Sequence, residues 1–294
     1  MILVKQVTDI FPEMYAGIKF HTFSGGEEHV NVSLPYSNVK NVEILARINS
    51  SSELMRLLLV TDAIRYLGDY NISLSIPYCP YSRQDRVCAP GDSFSLKLFT
   101  NLINAQGYDK VYVTDAHSTV ATALLENVVE RPQSSFAVEL ASRLGIHGLA
   151  NYKYIVAPDA GASKKAVDFA KAYNLITHVD VVQALKVRDP ATGNITETTV
   201  LKDDFGGDDC LIVDDICSGG MTFRLLARVL KEHGAGKIGL FVTHGIFDFG
   251  VDVLFNDNID QIYTTDSFEQ LDPRVHIIHK FFPTEEDMKF LHHI

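Results

Sequence analysis

The chain has 294 residues, 46% of them hydrophobic and 21% charged, and a formal net charge of −11. That length suits about two domains, and the composition excludes a disordered chain, a coiled coil and a collagen-like repeat. The acidic balance excludes broad binding to a nucleic-acid backbone, which calls for a basic surface; local basic groups or a divalent metal can still hold a small phosphate.

No apolar run approaches the ~18 residues of a membrane span. The opening MILVKQVTDIFPEM lacks the apolar stretch of a signal peptide. A cytoplasmic location without membrane contact is therefore expected. Cys79, Cys88, Cys210 and Cys217 form no CxxC pair and read as reduced thiols.

In chain order, the first strong element is a helix over 51–67. Leu54, Leu57, Leu58, Ile64 and Leu67 share a face, Gly68 stops it, and its other faces are apolar enough to predict deep burial. Residues 72–76 read as a strand, 77–92 as a polar loop, 93–106 as a helix ended by Gly107, and 111–114 as a strand ending at Asp115. The alternation then repeats: strand 154–157, helix 162–172, strand 176–182, strand 210–213, helix 222–233 and strand 237–243. Such βα alternation implies an α/β protein of mainly parallel sheets flanked by helices. Pro132 and the serines after it place the boundary between a domain of residues 1–134 and one of 135–294.

Ligands of open parallel sheets bind beyond the carboxyl ends of the strands. Residues 78–86, 115–118, 158–165, 214–222 and 243–245 lie there and are rich in Asp, His, Arg, Lys, Ser, Thr and Gly. The most specific stretch is LIVDDICSGGMTF, 211–223. An apolar strand runs into Asp214 and Asp215, then a small-residue loop, then Thr222 opening a helix. Loop N–H groups and a helix N-terminus can hold a phosphate, and paired carboxylates can accept hydrogen bonds from vicinal ribose hydroxyls. The plainer alternative is a tight turn with solvent-facing acids. Residues 234–239 fit G-x-G-x-x-G, but they follow a helix and precede a strand, the reverse of a dinucleotide-binding context.

Residues 214–222 resemble the phosphoribosyl-diphosphate loop of the type I phosphoribosyltransferase fold. Further segments narrow the choice: FSGGE (23–27), IPYCPYSRQDR (76–86), TDAHS (114–118), VAPDAG (156–161) and VTHGIF (242–247) resemble, in order and spacing, those of ribose-phosphate pyrophosphokinases. The resemblance implies two phosphoribosyltransferase-like domains. It also implies a reaction in which the anomeric hydroxyl of ribose 5-phosphate attacks the β-phosphorus of Mg-ATP and AMP leaves.

The same resemblance distributes roles. Arg83 and Gln84 bind ATP, and Phe23, Gly25, Gly26 and Glu27 reach the ATP of a neighbouring subunit. Asp214, Asp215, Ser218, Gly219, Gly220, Met221 and Thr222 bind ribose 5-phosphate. His117 and Asp159 bind Mg2+. Lys186 and Arg188 are the catalytic cations of a flexible flap over 184–197, expected to be mobile without ligand. A homo-oligomer is implied, at least a dimer and in many members a hexamer built from dimers, with no nucleic-acid partner. Three positions depart from the pattern: Gly25 and Ser218 each stand where Asp is usual, and Met221 where Gly is usual. Ser218 is expected to donate to phosphate and Met221 to point outward. Two other functions fit parts of this pattern. A type I phosphoribosyltransferase would share 214–222 without reason to keep 23–27 or 83–86. A non-catalytic regulatory homologue would be expected to have lost Lys186, Arg188 or His117.

Overall fold

The computed structural model describes the chain apart from residues 8–13, 37, 148–150, 189–194 and 284–294, and apart from the side chains of 146–147, 187–188 and 195–197. Two compact units emerge. The first takes Met1–Arg131 and, at the end of the described chain, Phe282; the second is Pro132–Phe281.

In the first unit, β1 (Ile2–Gln6), β2 (Met14–Tyr15), a separate hairpin of β3 (Gly17–Thr22) and β4 (Glu28–Ser33), and β5 (Asn41–Ala46) precede helix α1 (Ser51–Leu67). Then come β6 (Asn71–Ile76), α2 (Ser95–Asn104), β7 (Lys110–Thr114), α3 (Thr119–Leu124) and β8 (Val128–Arg131). The six-stranded sheet runs β2-β1-β5-β6-β7-β8. Strands β5 to β8 are parallel and β1 and β2 antiparallel to their neighbours.

Helix α1 starts where the Ser50 hydroxyl accepts the Glu53 N–H, and ends at Gly68. It buries one face, Leu57, Val60, Thr61 and Ile64, while Leu67 is 48% exposed. The expected all-round burial is absent because the helix covers one side of a sheet. The β3–β4 hairpin is tied to it by Arg56, whose Nε lies 2.9 Å from a Glu28 carboxylate oxygen.

The second unit opens with a 3-10 turn, Gln133–Phe136, and α4 (Ala137–His147), followed by β9 (Tyr152–Ala157), α5 (Ser163–Tyr173), β10 (Asp180–Arg188) and β11 (Ile195–Val200). Next are β12 (Asp209–Cys217), α6 (Met221–Glu232), β13 (Ile238–Gly245), α7 (Asp252–Phe255), β14 (Gln261–Thr265) and β15 (Val275–His279). Its seven-stranded sheet runs β11-β10-β9-β12-β13-β14-β15, parallel except for β11. Every residue of β13 is buried, as a central strand covered on both faces must be.

Three sequence expectations are corrected here. The strand read at 176–182 starts at Asp180. The N–H groups of Leu175, Ile176 and Thr177 instead bond back to the end of α5, so they cannot join the sheet. Strand β12 does not stop at Val213 but carries the two acids and runs to Cys217. The first residue of α6 is Met221, not Thr222. The G-x-G-x-x-G glycines serve close packing: a Cβ at Gly239 would collide with the hydroxyl of Tyr152.

Candidate functional site

At the carboxyl end of the second sheet, β12, the β9–α5 turn and β10 bring charged side chains together. Asp214 accepts the Asp215 N–H at 2.9 Å. Asp215 is buried and its carboxylate lies 3.3 Å from Lys165 on α5. Burial, and next the charge of Asp215, push the Asp214 carboxyl well above the ordinary aspartate pKa. The Asp214 carbonyl is held in turn by the buried Gln133 side chain, whose amide also donates to the Thr243 hydroxyl at 3.2 Å.

After Cys217 the chain passes Ser218 and Gly219 to Gly220, which caps α6 with φ +77. A left-handed residue here favours glycine, and a Cβ would lie 2.9 Å from Leu254. The N–H groups of Phe223 and Arg224 bond back to the Gly220 carbonyl; those of Met221 and Thr222 have no intrahelical acceptor, as at any helix start. Unsatisfied N–H groups at a helix start suit an anion. Met221 is 52% exposed, pointing out of the loop. The Ser218 hydroxyl departs from expectation: it donates to the carboxylate of Asp248, so its single proton is not directed at a phosphate.

Asp159, in the turn after β9, accepts the Ala162 N–H at 3.1 Å through one carboxylate oxygen. The other meets the Lys186 ammonium at 2.6 Å. Burial raises the Asp159 pKa, but Lys186 and the backbone donors outweigh it and hold the carboxyl below the usual range. Lys186 sits on β10, which pairs with β9 up to Gln183 and from Ala184 onward pairs only with β11, a two-stranded ribbon leaving the sheet. Its side chain is only 11% exposed. The resemblance makes Lys186 a flap cation; here its partner is the nearby Asp159 carboxylate. The pairing register shifts between Val187 and Arg188. The Arg188 side chain lies outside the described residues, as does most of the loop read as flap.

The other predicted residues sit in the first unit. Phe23 and Glu27 close the tip of the β3–β4 hairpin, the Phe23 N–H bonding the Glu27 carbonyl at 2.9 Å. Phe23 is 51% exposed with its ring edge-on to His21. Gly26 has φ +86, and nothing lies within 4 Å of where a Cβ of Gly25 would stand. Arg83 and Gln84 are exposed on the loop after β6. Beside them Asp85 is buried and bonds Arg86 at 2.8 Å. That hydrogen bond, with a smaller effect of His117, lowers the Asp85 pKa. His117 is exposed just past β7, in a turn whose buried Asp115 adopts φ +42, a conformation that costs a non-glycine residue energy.

Among the described residues no group of three or more His, Cys, Asp or Glu could hold a metal by itself. Asp159 nonetheless fits a Mg2+ ligand that is completed by substrate oxygens and water, because its carboxylate already holds a cation. Gln133, Lys165 and Asp248 join the site without having been predicted as site residues. Among the described residues no helix is long and apolar enough to cross a membrane.

Comparison with known proteins bears on the whole chain. A family model for the N-terminal domain of ribose phosphate pyrophosphokinase matches residues 2–107, and one for the phosphoribosyl transferase domain matches 136–267. A ribose-phosphate pyrophosphokinase of Cereibacter sphaeroides is 30% identical over 262 residues, 89% of this chain and 71% of that one. One of Sulfurisphaera tokodaii is 26% identical over 268 residues, 89% and 88% of the two chains. The crystal structure of a phosphoribosylpyrophosphate synthetase from Mycobacterium smegmatis shares the fold, with a TM-score of 0.75 at 20% identity over 90% of this chain and 86% of that one.

Proposed function

The chain belongs to the ribose-phosphate pyrophosphokinase family, and from that premise we propose which of its residues carry the family's chemistry. It is an enzyme that transfers the diphosphate of ATP to the C1 hydroxyl of ribose 5-phosphate, giving 5-phosphoribosyl 1-diphosphate, a nucleotide precursor, and AMP. The match of residues 2–107 to the family's own N-terminal domain carries this reading over that of a lone phosphoribosyltransferase.

In our reading the 5-phosphate rests on Gly219, Gly220, Met221 and Thr222 at the start of α6, where backbone N–H groups and the helix dipole meet an anion. Asp214 and Asp215 accept hydrogen bonds from the ribose hydroxyls. The raised pKa of Asp214 suits this role, since a sugar hydroxyl relieves a desolvated carboxylate. Arg83 and Gln84, with Phe23, Gly25, Gly26 and Glu27, bind the nucleotide within a cytoplasmic homo-oligomer, at least a dimer.

Asp159 and His117 are the residues we assign to Mg2+, which when bound neutralises and orients phosphate oxygens. Phosphoryl transfer needs little covalent help from protein; it needs positioning and charge stabilisation. Lys186 and Arg188 supply that charge. Lys186 must leave Asp159 to do so, and Asp159 would then hold Mg2+ in place of that ammonium.

The test is incubation with Mg-ATP and ribose 5-phosphate. Equal amounts of AMP and 5-phosphoribosyl 1-diphosphate are expected, with metal activation weakened in His117→Ala and Asp159→Ala. Absence of AMP would overturn the reaction. Wild-type metal response in both variants would overturn the metal assignment alone.

A further inference from the structure

The sugar loop is laced to a second loop that follows β13. The N–H groups of Ile246 and Phe247 both reach the Cys217 carbonyl, at 2.8 and 3.0 Å, and the Asp248 N–H reaches the Ser218 carbonyl at 3.1 Å. Between the side chains, the Ser218 hydroxyl donates to the Asp248 carboxylate. The second loop holds an unusual shape: Phe247 has φ +52, and Gly245 leaves the space its ring occupies. Such strain in a non-glycine residue persists where the surroundings over-determine it. The smallness of the sugar loop answers the same neighbour, since a Cβ at Gly219 would lie 3.3 Å from the Phe249 ring.

These contacts give the sugar loop a carboxylate that its own sequence lacks. Ser218 stands where the resembled pattern has Asp, and the acid bonded to it comes from thirty positions further on. A carboxylate offers about four acceptor sites, and Ser218 uses one. Asp248 is exposed, so its other sites can meet a ligand entering from solvent.

We propose that Asp248 is a specificity-determining residue for ribose 5-phosphate, supplying beside Asp214 and Asp215 the hydroxyl-reading carboxylate that Ser218 does not. Ser218 is then a positioning residue that aims it. The proposal rests on the reading that 214–222 binds this sugar phosphate.

Titration calorimetry with ribose 5-phosphate on the full chain tests it. Asp248→Asn keeps an oxygen to accept from Ser218 but loses the charge; it should weaken binding ~10–100-fold, the worth of a hydrogen bond to a charged group, without lowering the melting temperature. Ser218→Asp, which sets two carboxylates against each other, should weaken it also. The exchange Ser218→Asp with Asp248→Ser should recover most of the lost affinity, as expected of two residues coupled through one hydrogen bond. Wild-type affinity in Asp248→Asn, or no recovery in the exchange, overturns the proposal. Asp214→Asn separates the two levels. If it weakens binding while Asp248→Asn does not, only the role of Asp248 falls. If neither weakens it, the sugar-loop reading falls and this proposal with it.

Discussion

Replacing Lys186 by Met separates what the lysine does at rest from what it does in the reaction. At rest its ammonium sits 2.6 Å from Asp159, with the lysine side chain 11% and the aspartate 32% exposed. A hydrogen bond to a charged group contributes ~1.5–3 kcal/mol. Water can reach the one-third exposed carboxylate, so the lower end applies, about 1.5 kcal/mol or roughly tenfold in the unfolding constant. For a unit of this size that lowers the melting temperature by roughly 3–6 °C. The effect has a pH signature. The folded-state pKa of Asp159 is depressed, so the contribution is full above the unfolded value of about 3.9 and is lost as pH falls through the lower folded value. The gap between parent and Lys186→Met should be constant near neutrality and close below about pH 4. In Asp159→Asn the same lysine change should cost far less. In turnover, kcat should fall by ~10²–10³ with much smaller changes in KM, as for one lost preorganised donor. Unchanged melting at pH 7 would refute the resting pair. A large KM rise at unchanged kcat would refute the transition-state role.

Asp214→Asn should exchange binding for stability. Burial and Asp215 raise the folded pKa of Asp214, so the parent loses stability as pH rises from about 3.9 towards that value. The amide variant should melt higher at pH 7, lose that advantage below about pH 4, and bind ribose 5-phosphate more weakly; a variant melting lower at pH 7 would contradict the assigned shift. Gly220→Ala combines left-handed strain with a Cβ 2.9 Å from Leu254. A cost of roughly 2–4 kcal/mol in urea unfolding is expected, together with weaker sugar-phosphate binding, and a loss under ~0.5 kcal/mol would mean that the loop relaxes freely.

Elements with a local signal were legible in sequence. Helix α1 has its ends in Ser50 and Gly68, single residues that cap and terminate it, and both bounds were read as found. The 214–222 loop was legible because acids, glycines and an apolar run fall together in one short segment. What escaped was set by pairing across the chain. Strand β1 owes its place to antiparallel pairing with β5, Ile2 facing Ala46, which no local pattern announces. Ile176 was read as opening a strand because it is apolar, yet it is 50% exposed, its N–H already committed to the end of α5. In the site, Lys165 reaches Asp215 across 50 positions and Lys186 reaches Asp159 across 27. Ser218 could be seen as a departure, but its answering acid could not, since nothing in DFGVD marks a ligand-binding segment.

The second unit is written in one unbroken stretch, 132–281, whereas the first is written in two. The guanidinium of the buried Arg47 lies 4.3 Å from the centre of the Phe282 ring, so the first unit borrows a piece from beyond the second. A cassette ending at Arg131 would lose that ring, while one spanning 132–281 carries every strand of its own sheet. Exchange of parts would thus be unequal: the second unit can be moved as a single insertion, but the first can be moved only with the distant Phe282 ring.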